Sequence, residues 1–87
     1  MKTLMTPELR NLRIKHLSET ARLEASRACK LWDSFNSVHE GYAVILEELD
    51  ELWEECKKRT PDKKELNKEA IHVAAMAIRF AVELTDE

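Results

Sequence analysis

The chain has very few of the residues that make turns. It contains one glycine and two prolines in 87 residues, which leaves almost none of the turn chemistry that β-hairpins need. Runs of β-branched residues, which favour strands, are absent as well. The sequence therefore predicts an all-α protein, and its length predicts a single small domain over residues 1–87.

Other absences exclude further classes of protein. No apolar run approaches the roughly 20 residues of a membrane span. The first ten residues, MKTLMTPELR, lack the apolar core of a secretory signal. We therefore expect a cytoplasmic protein that has no membrane partner. Cys29 and Cys56 are far apart in helical patterns, which favours reduced structural thiols over a disulfide or a zinc site.

Charge is distributed unevenly along the chain. Residues 1–30 carry seven Lys/Arg against three Glu, residues 31–59 carry three against eight Asp/Glu, and residues 60–87 carry four against six. The net charge of −3 argues against nucleic acid as a partner. The basic first segment and the acidic middle segment are expected to attract each other, either within one bundle or across a dimer.

Three helices are predicted, at about residues 7–33, 38–58 and 63–84. Each begins at a capping signal: Thr6 with Pro7, the capping box of Ser37 and Glu40, and either Asp62 with Glu65 or Thr60 with Pro61. The first helix has an apolar side but carries no recognisable motif.

The middle and last helices carry the clearest apolar patterns. The middle helix has one predicted core stripe: Val38, Tyr42, Ile45, Leu46, Leu49, Leu52, Trp53 and Cys56. The last helix is apolar on two nearly opposite faces, separated by a polar seam of Glu65, Glu69, His72, Arg79 and Glu83 that also includes Met76. Because a three-helix monomer cannot easily cover both faces, we expect a homodimer or a dimer of dimers.

The middle helix also places six carboxylates within nine residues, from Glu47 to Glu55. Glu48 and Glu51 are three residues apart, so their carboxylates lie one turn apart and repel each other unless a cation lies between them. Glu69 and His72 have the same spacing, and an antiparallel arrangement brings the two pairs together. Such a set suits Mg²⁺ or Mn²⁺.

The alternatives are simpler. The six carboxylates form a solvated acidic face that includes Glu54 and Glu55, and His72 is a polar residue in a helix interface.

Two segments resemble a known family. EELDELWEE, with Glu47, Glu48 and Glu51, is similar to the E-E-x-x-E motif of the MazG-like all-α nucleoside triphosphate pyrophosphohydrolases. KEAIHVAAMAIRF resembles the second half of that pattern, where the family places E-x-x-D at the start of a long apolar helix. The sequence of these segments is more similar still to a group of small MazG-like proteins from phages and mobile elements. The likeness covers about half the chain, from Phe35 to Leu84.

The resemblance implies a three-helix MazG-like protomer that completes its bundle by oligomerisation. It also implies Mg²⁺-dependent hydrolysis of a nucleoside or deoxynucleoside triphosphate between its α and β phosphates, which yields a monophosphate and pyrophosphate. Glu48, Glu51 and Glu69 would bind the metal, with His72 in the place of the family's aspartate. Glu47 would orient or deprotonate the attacking water.

Candidates for contact with the substrate follow from the same resemblance. Arg79 and Lys68 are candidates for the phosphates. Trp32 is the candidate for the base, with Phe35, Tyr42 and Trp53 as alternatives. His39 is a further candidate, with a structural role at the helix start as its alternative. Arg79 has a second interpretation as the partner of Glu83, and Trp53 is expected in the core. The alternative to an enzyme is a non-catalytic interaction module, or a nucleotide sensor, that retains the MazG-like fold.

Overall fold

A computed structural model describes residues 5–86, which form three α-helices and no strand. The helices are α1 (Pro7–Leu31), α2 (Val38–Cys56) and α3 (Lys63–Leu84). The predicted all-α class and all three helix starts are confirmed. The predicted ends of the first two helices are two residues too late. Trp32 is already extended, with φ −119° and ψ 148°, and α2 closes with the Lys58 amide donating to the Glu55 carbonyl.

Each helix start is capped by the side chain expected from the sequence. The Thr6 hydroxyl accepts from the Leu9 amide at 3.2 Å, and the Ser37 hydroxyl accepts from the Glu40 amide. Asp62 caps α3, which decides between its two predicted starts. The Glu40 carboxylate bonds to the Asn36 amide and side chain, so the box at Ser37 extends one residue further upstream than predicted.

Helix α3 lies between the other two helices. Gly41 of α2 lies against Phe80 and Glu55 of α2 bonds to Asp62, so α2 runs antiparallel to α3. On α1, Cys29 near the helix end contacts Glu83 near the end of α3, and the earlier Glu24 lines the same cleft as the earlier His72, so α1 runs parallel to α3. Over the described residues, α1 and α2 pack on α3 but not on each other, which leaves a cleft between them.

The core is small and consists mainly of alanine. Its buried apolar residues are Ala21, Ala25, Ala28, Phe35, Ala75 and Met76. Small side chains at the contact allow helices to approach closely, and the four alanines lie where α1 meets α3. Val44 and Ile45 of α2 pack against this cluster as partly buried residues.

The predicted core stripe of α2 is wrong within one chain. Most of the predicted α2 stripe is exposed, including Trp53 at 60%. Of that stripe only Ile45 and Leu52 are partly buried, and they face α3 together with Gly41 and Glu48. The polar seam of α3 contains the buried Met76 and Arg79. The seam is covered because it faces the space between α1 and α2.

The molecule is extended for its length. Its radius of gyration is 14.7 Å, against about 12 Å for a compact domain of this size. Within residues 5–86, every helix is too short or too polar to cross a bilayer.

Candidate metal centre

Glu48, Glu69 and His72 come together where α2 crosses α3. One ligand-type atom from each lies within 4.8 Å of the other two. His72 Nδ1 is 3.6 Å from Glu48 Oε2 and 3.9 Å from Glu69 Oε2. Glu69 and His72 are one turn apart on α3, and the antiparallel α2 brings Glu48 to them. The convergence predicted from the two spacings is therefore present for three of the four residues.

Two oxygens in this cluster are buried without a hydrogen-bond partner. They are Glu48 Oε2 and Glu69 Oε2, and the two side chains are 24% and 12% exposed. A buried acceptor that forms no hydrogen bond costs about 1–3 kcal/mol, and such groups are rare in folded proteins. A positively charged group at this point would therefore satisfy both oxygens and remove this cost.

The carboxyl of Glu48 has an unusual environment. Burial raises its pKa, the neighbouring Glu51 raises it further by charge and by a hydrogen bond, and Glu69 adds a smaller increase. Only His72, when protonated, acts in the opposite direction. Three carboxylates around one point repel each other, and a divalent cation removes that repulsion.

The donor set fits Mg²⁺ or Mn²⁺. Adjacent ligand atoms around an ion with bonds of about 2.1 Å are about 3 Å apart and opposite ones about 4 Å, so small side-chain rotations bring these three atoms into range. Carboxylate oxygens suit either ion, and the imidazole of His72 favours Mn²⁺ or a later metal.

The other two predicted acidic site residues lie beside the cluster. Glu51, predicted as a ligand, lies outside the three-residue group but near enough for its charge to act on Glu48. Glu47 is exposed and lines the adjacent cleft. A metal with open coordination positions here would be reached from the side of Glu47 and the cleft.

The cleft between α1 and α2 has a volume of about 720 Å³, which is in the usual range for sites that bind small molecules. Glu48 and His72 line it, and so do Glu24 and Arg27 of α1. Neither of these two α1 residues was predicted from the sequence. The available signal was the alanine spacing at 21, 25 and 28, which marks the face of α1 that turns toward α3.

Arg79, a candidate for contact with the phosphates, lines the cleft. Its guanidinium is already engaged in several contacts within the chain. Its Nε donates to Glu83 Oε2 at 2.9 Å, and its Nη2 donates to the Asp33 carbonyl at 2.7 Å. Its guanidinium carbon lies 4.1 Å from the centre of the Phe35 ring, a cation–π distance. Arg79 is 5% exposed, so it fixes the α1–α2 connection to α3.

Glu83 completes this network. Its carboxylate also accepts from the Phe35 amide at 2.8 Å and from the Cys29 thiol at 3.3 Å. The predicted pairing of Arg79 with Glu83 is therefore observed.

The remaining predicted substrate contacts lie in different places. Trp32 lines the cleft and is 66% exposed, so its ring is accessible. Lys68 lies outside the described lining, 3.2 Å from Glu65 and 3.9 Å from Glu69. His39 is exposed in the first turn of α2 and is also outside that lining. Comparison of the chain with protein-family models, with curated proteins and with solved structures found no match.

Proposed function

We propose that this protein is a metal-dependent pyrophosphohydrolase of nucleoside or deoxynucleoside triphosphates, a cytoplasmic activity that releases a monophosphate and pyrophosphate. The observation that carries the proposal is the pair of buried, unpartnered oxygens of Glu48 and Glu69. They lie beside His72, and Glu48 and His72 line a cleft of small-molecule size. The resemblance of the Glu47–Glu51 and Glu69–Arg79 segments to MazG-like proteins supports the same reaction.

The residues of the cluster would bind the metal, and a neighbouring carboxylate would activate the water. Glu48, Glu69 and His72 would bind Mg²⁺ or Mn²⁺, with Glu51 as a fourth acidic group beside them. The bound ion would supply charge stabilisation of the phosphate oxygens. Glu47, on the cleft side of the cluster, orients the attacking water and accepts its proton.

Groups further along the cleft would bind the rest of the substrate. Arg27 and Arg79 are the two arginines of the lining. Arg27 pairs with Glu24 at an exposed site, so its guanidinium can turn to a phosphate at little cost. Arg79 is held by Glu83 and Asp33 and acts mainly as a fixed positive charge. Trp32 offers an exposed ring on which a base can stack.

The test is a pyrophosphate-release assay over a panel of NTPs and dNTPs, with Mg²⁺ and Mn²⁺ in separate reactions. The matched variants are Glu48→Gln, which removes a charge from the cluster, and Glu54→Gln, which makes the same change at an exposed carboxylate of the same helix that pairs with Lys57. We expect turnover in the wild type and in Glu54→Gln, and a loss of at least about 100-fold in Glu48→Gln.

The same assay can also contradict the proposal. Absence of turnover with either metal, from wild-type protein that is folded by circular dichroism, contradicts the proposal. Tight nucleotide binding without turnover would instead identify a nucleotide sensor, and absence of binding would identify an interaction module. His72→Asp separates these cases further, because it restores the family's ligand and raises activity only in an enzyme.

A further inference from the structure

The cleft continues along α2, away from the metal cluster, to the loop that joins α1 and α2. Glu48 lines it at the cluster, and Glu40 lines it at the first turn of α2, next to Asn36 of the loop. We call the part of the cleft lined by residues 33–40 the loop end. Glu40 and Glu48 are eight residues apart, which is about 12 Å along the helix axis. This matches the reach of an extended nucleotide from its α-phosphate to the far edge of its base, so a base would lie at the loop end.

The part of the cleft between these two ends is apolar. Val44 lies one turn from Glu40 and one turn from Glu47 on the same side of α2, and it lines the cleft between them. Ala28 and Met76, which are both buried, line the cleft as well. An apolar middle fits the faces of a sugar and a base but does not distinguish one base from another. Discrimination between bases therefore depends on the polar groups at the loop end.

The side chain of Glu40 is held at the loop end by Asn36. The Asn36 backbone amide donates to Glu40 Oε1 at 3.1 Å, and Asn36 Nδ2 donates to Glu40 Oε2 at 3.0 Å. These hydrogen bonds lower the pKa of Glu40, so the group is a carboxylate at neutral pH. A carboxylate oxygen can accept two hydrogen bonds, and each oxygen of Glu40 accepts one from Asn36. Each therefore keeps one acceptor position for a ligand.

The other groups at the loop end add to this acceptor character. The Asp33 carboxylate lines the cleft there, and Asn36 Oδ1 is a further acceptor beside the Nδ2 group that donates to Glu40. Arg79 brings positive charge to this end, but its Nε donates to Glu83 and its Nη2 to the Asp33 carbonyl. The loop end thus presents fixed acceptors, while its cation is already engaged by the protein.

We infer that the loop end selects bases that carry an exocyclic amino group at their far edge, with Glu40 as the specificity-determining residue and Asn36 as its positioning residue. The inference rests on the proposed function, because it takes a nucleoside triphosphate as the ligand of the cleft. The amino groups of cytosine and adenine are donors, whereas the corresponding oxygen of uracil or thymine is an acceptor. A carboxylate accepts from the amino group and repels the oxygen.

The expected discrimination is moderate. A hydrogen bond to a charged group is stronger than one between neutral groups, but Glu40 is exposed and water competes for its oxygens. We therefore expect a preference of about tenfold in kcat/KM, below the much larger ratios of sites that enclose the whole base.

The first test compares two pairs of substrates that differ by one amino-to-oxo exchange, dCTP with dUTP and dATP with dITP. The matched variants are Glu40→Gln and Glu54→Gln. Glutamine is compatible with a capping box, so Glu40→Gln keeps the start of α2 while it replaces the charge and adds a donor for a carbonyl oxygen. We expect a ratio of kcat/KM of about ten in favour of the amino-bearing substrate in the wild type and in Glu54→Gln, and a ratio near one in Glu40→Gln.

Asn36→Ala tests the positioning of the carboxylate. This variant keeps the charge of Glu40 but removes the hydrogen bond from Nδ2, so the ratio should fall although the carboxylate is still present. An unchanged ratio in Asn36→Ala would show that Asn36 does not position Glu40. An unchanged ratio in Glu40→Gln, or no preference in the wild type, overturns the inference and leaves the proposed function standing.

The second test measures binding without cleavage. The dissociation constants of the α,β-imido analogues of dCTP and dUTP, which resist cleavage between the α and β phosphates, are measured by calorimetry with Mn²⁺. We expect the dCTP analogue to bind about tenfold more tightly to the wild type and equally tightly to Glu40→Gln. This result from a protein without turnover would support base selection while the proposed reaction fails. Absence of binding of both analogues would overturn both.

Discussion

Glu48 and Arg79 line the same cleft, but their charged groups have opposite surroundings. Arg79 donates to Glu83 and to the Asp33 carbonyl and lies over the Phe35 ring. Glu48 has an oxygen that is buried with no partner, among other carboxylates. At the scale of residues, Arg79 therefore stabilises the fold, whereas Glu48 weakens it unless a cation is bound.

This contrast predicts that Glu48→Gln makes the metal-free protein more stable. The amide removes a charge that repels Glu51 and Glu69, and its NH₂ group can donate to them. We expect the free energy of unfolding in EDTA to rise by about 1 kcal/mol, since an unsatisfied buried acceptor costs about 1–3 kcal/mol. Urea unfolding in EDTA, monitored by circular dichroism, measures this change in the free energy of unfolding.

Addition of Mn²⁺ should reverse the order. The wild type should gain stability with increasing Mn²⁺, because the ion binds the folded state, and Glu48→Gln should gain little. The exposed Glu54→Gln should behave like the wild type in both conditions. If Glu48→Gln is less stable than the wild type in EDTA, our account of this carboxylate is wrong.

Glu83 predicts the pH dependence of stability. Burial alone raises the pKa of Glu83, but hydrogen bonds from the Phe35 amide, Arg79 and the Cys29 thiol together lower it below its ordinary value. A carboxyl whose pKa is lower in the folded state stabilises the protein above its unfolded-state pKa. That contribution is lost as the pH falls through the folded-state pKa.

We therefore expect Glu83→Gln to cost about 2–3 kcal/mol at neutral pH. The difference from the wild type should shrink as the pH is lowered from about 7 to about 3. Urea unfolding at several pH values measures both quantities. A difference between the two proteins that stays constant with pH would show that the network does not act through the charge of Glu83.

At the scale of elements, the α2–α3 contact depends on the chain's one glycine. A Cβ at Gly41 would lie 2.6 Å from Phe80 Cδ2 and 2.8 Å from Leu84 Cδ1, which is closer than real atoms approach. Gly41→Ala should therefore destabilise the protein by about 1–2 kcal/mol. Overpacking costs about 1–3 kcal/mol, and the better helix propensity of alanine returns up to about 1 kcal/mol.

Thermal or urea unfolding measures this change, and a second substitution checks its cause. Phe80→Leu opens space beside position 41, so the double variant should lose less stability than the two single variants together. An increase in stability for Gly41→Ala would contradict the close packing of α2 on α3.

The turn between α2 and α3 depends on Glu55. The sequence predicts that Glu54 and Glu55 are both solvated, which is correct for Glu54 but wrong for Glu55. The Glu55 side chain is 7% exposed and accepts from Lys58 and from the Asp62 amide at 2.9 Å. Glu55→Ala leaves the Asp62 amide without its partner, so we expect a loss of about 1–3 kcal/mol.

The matched substitution is Glu54→Ala, which removes an exposed pair with Lys57 and should change stability by less than about 0.5 kcal/mol. Denaturation of both variants under the same conditions measures the difference. Equal losses would mean that the hydrogen bond of Glu55 to Asp62 contributes nothing.

The elements were predictable because their signals are local. Thr6, Ser37 and Asp62 each bond to amides a few residues ahead, and such caps are visible in the sequence. The three-residue spacings at Glu48 and Glu69 fixed the faces of two helices, and an antiparallel connection was enough to bring them together. The α1 side of the cleft was not predictable, because Glu24 and Arg27 line the cleft only as a result of where α1 packs on α3.

At the scale of the whole molecule, the sequence does not say which apolar face contacts which. α2 has a single broad apolar surface, and the chain uses only the part around Ile45 and Leu52 to pack on α3. Trp53 was therefore assigned to the core although it is exposed within one chain. Which part of the apolar surface of α2 packs on α3 depends on the close approach at Gly41 and on the polar seam of α3. Both features depend on how two helices pack together, and one helix considered alone does not reveal them.

The homodimer expected from the sequence has a consequence for stability. If folding and association are coupled, the unfolding midpoint rises with protein concentration by mass action. Calorimetry over a tenfold or larger range of concentration should show this rise in the wild type and a smaller one in Leu49→Gln. A midpoint independent of concentration in the wild type would contradict the coupling.

The most direct test of the central claim is to identify which phosphate bond is broken. Purified protein is incubated with a deoxynucleoside triphosphate and Mg²⁺ or Mn²⁺, and the products are followed by ³¹P NMR. Our account predicts the monophosphate and pyrophosphate, with no such products from Glu48→Gln. A diphosphate with free phosphate, or unchanged triphosphate with both metals, would contradict it.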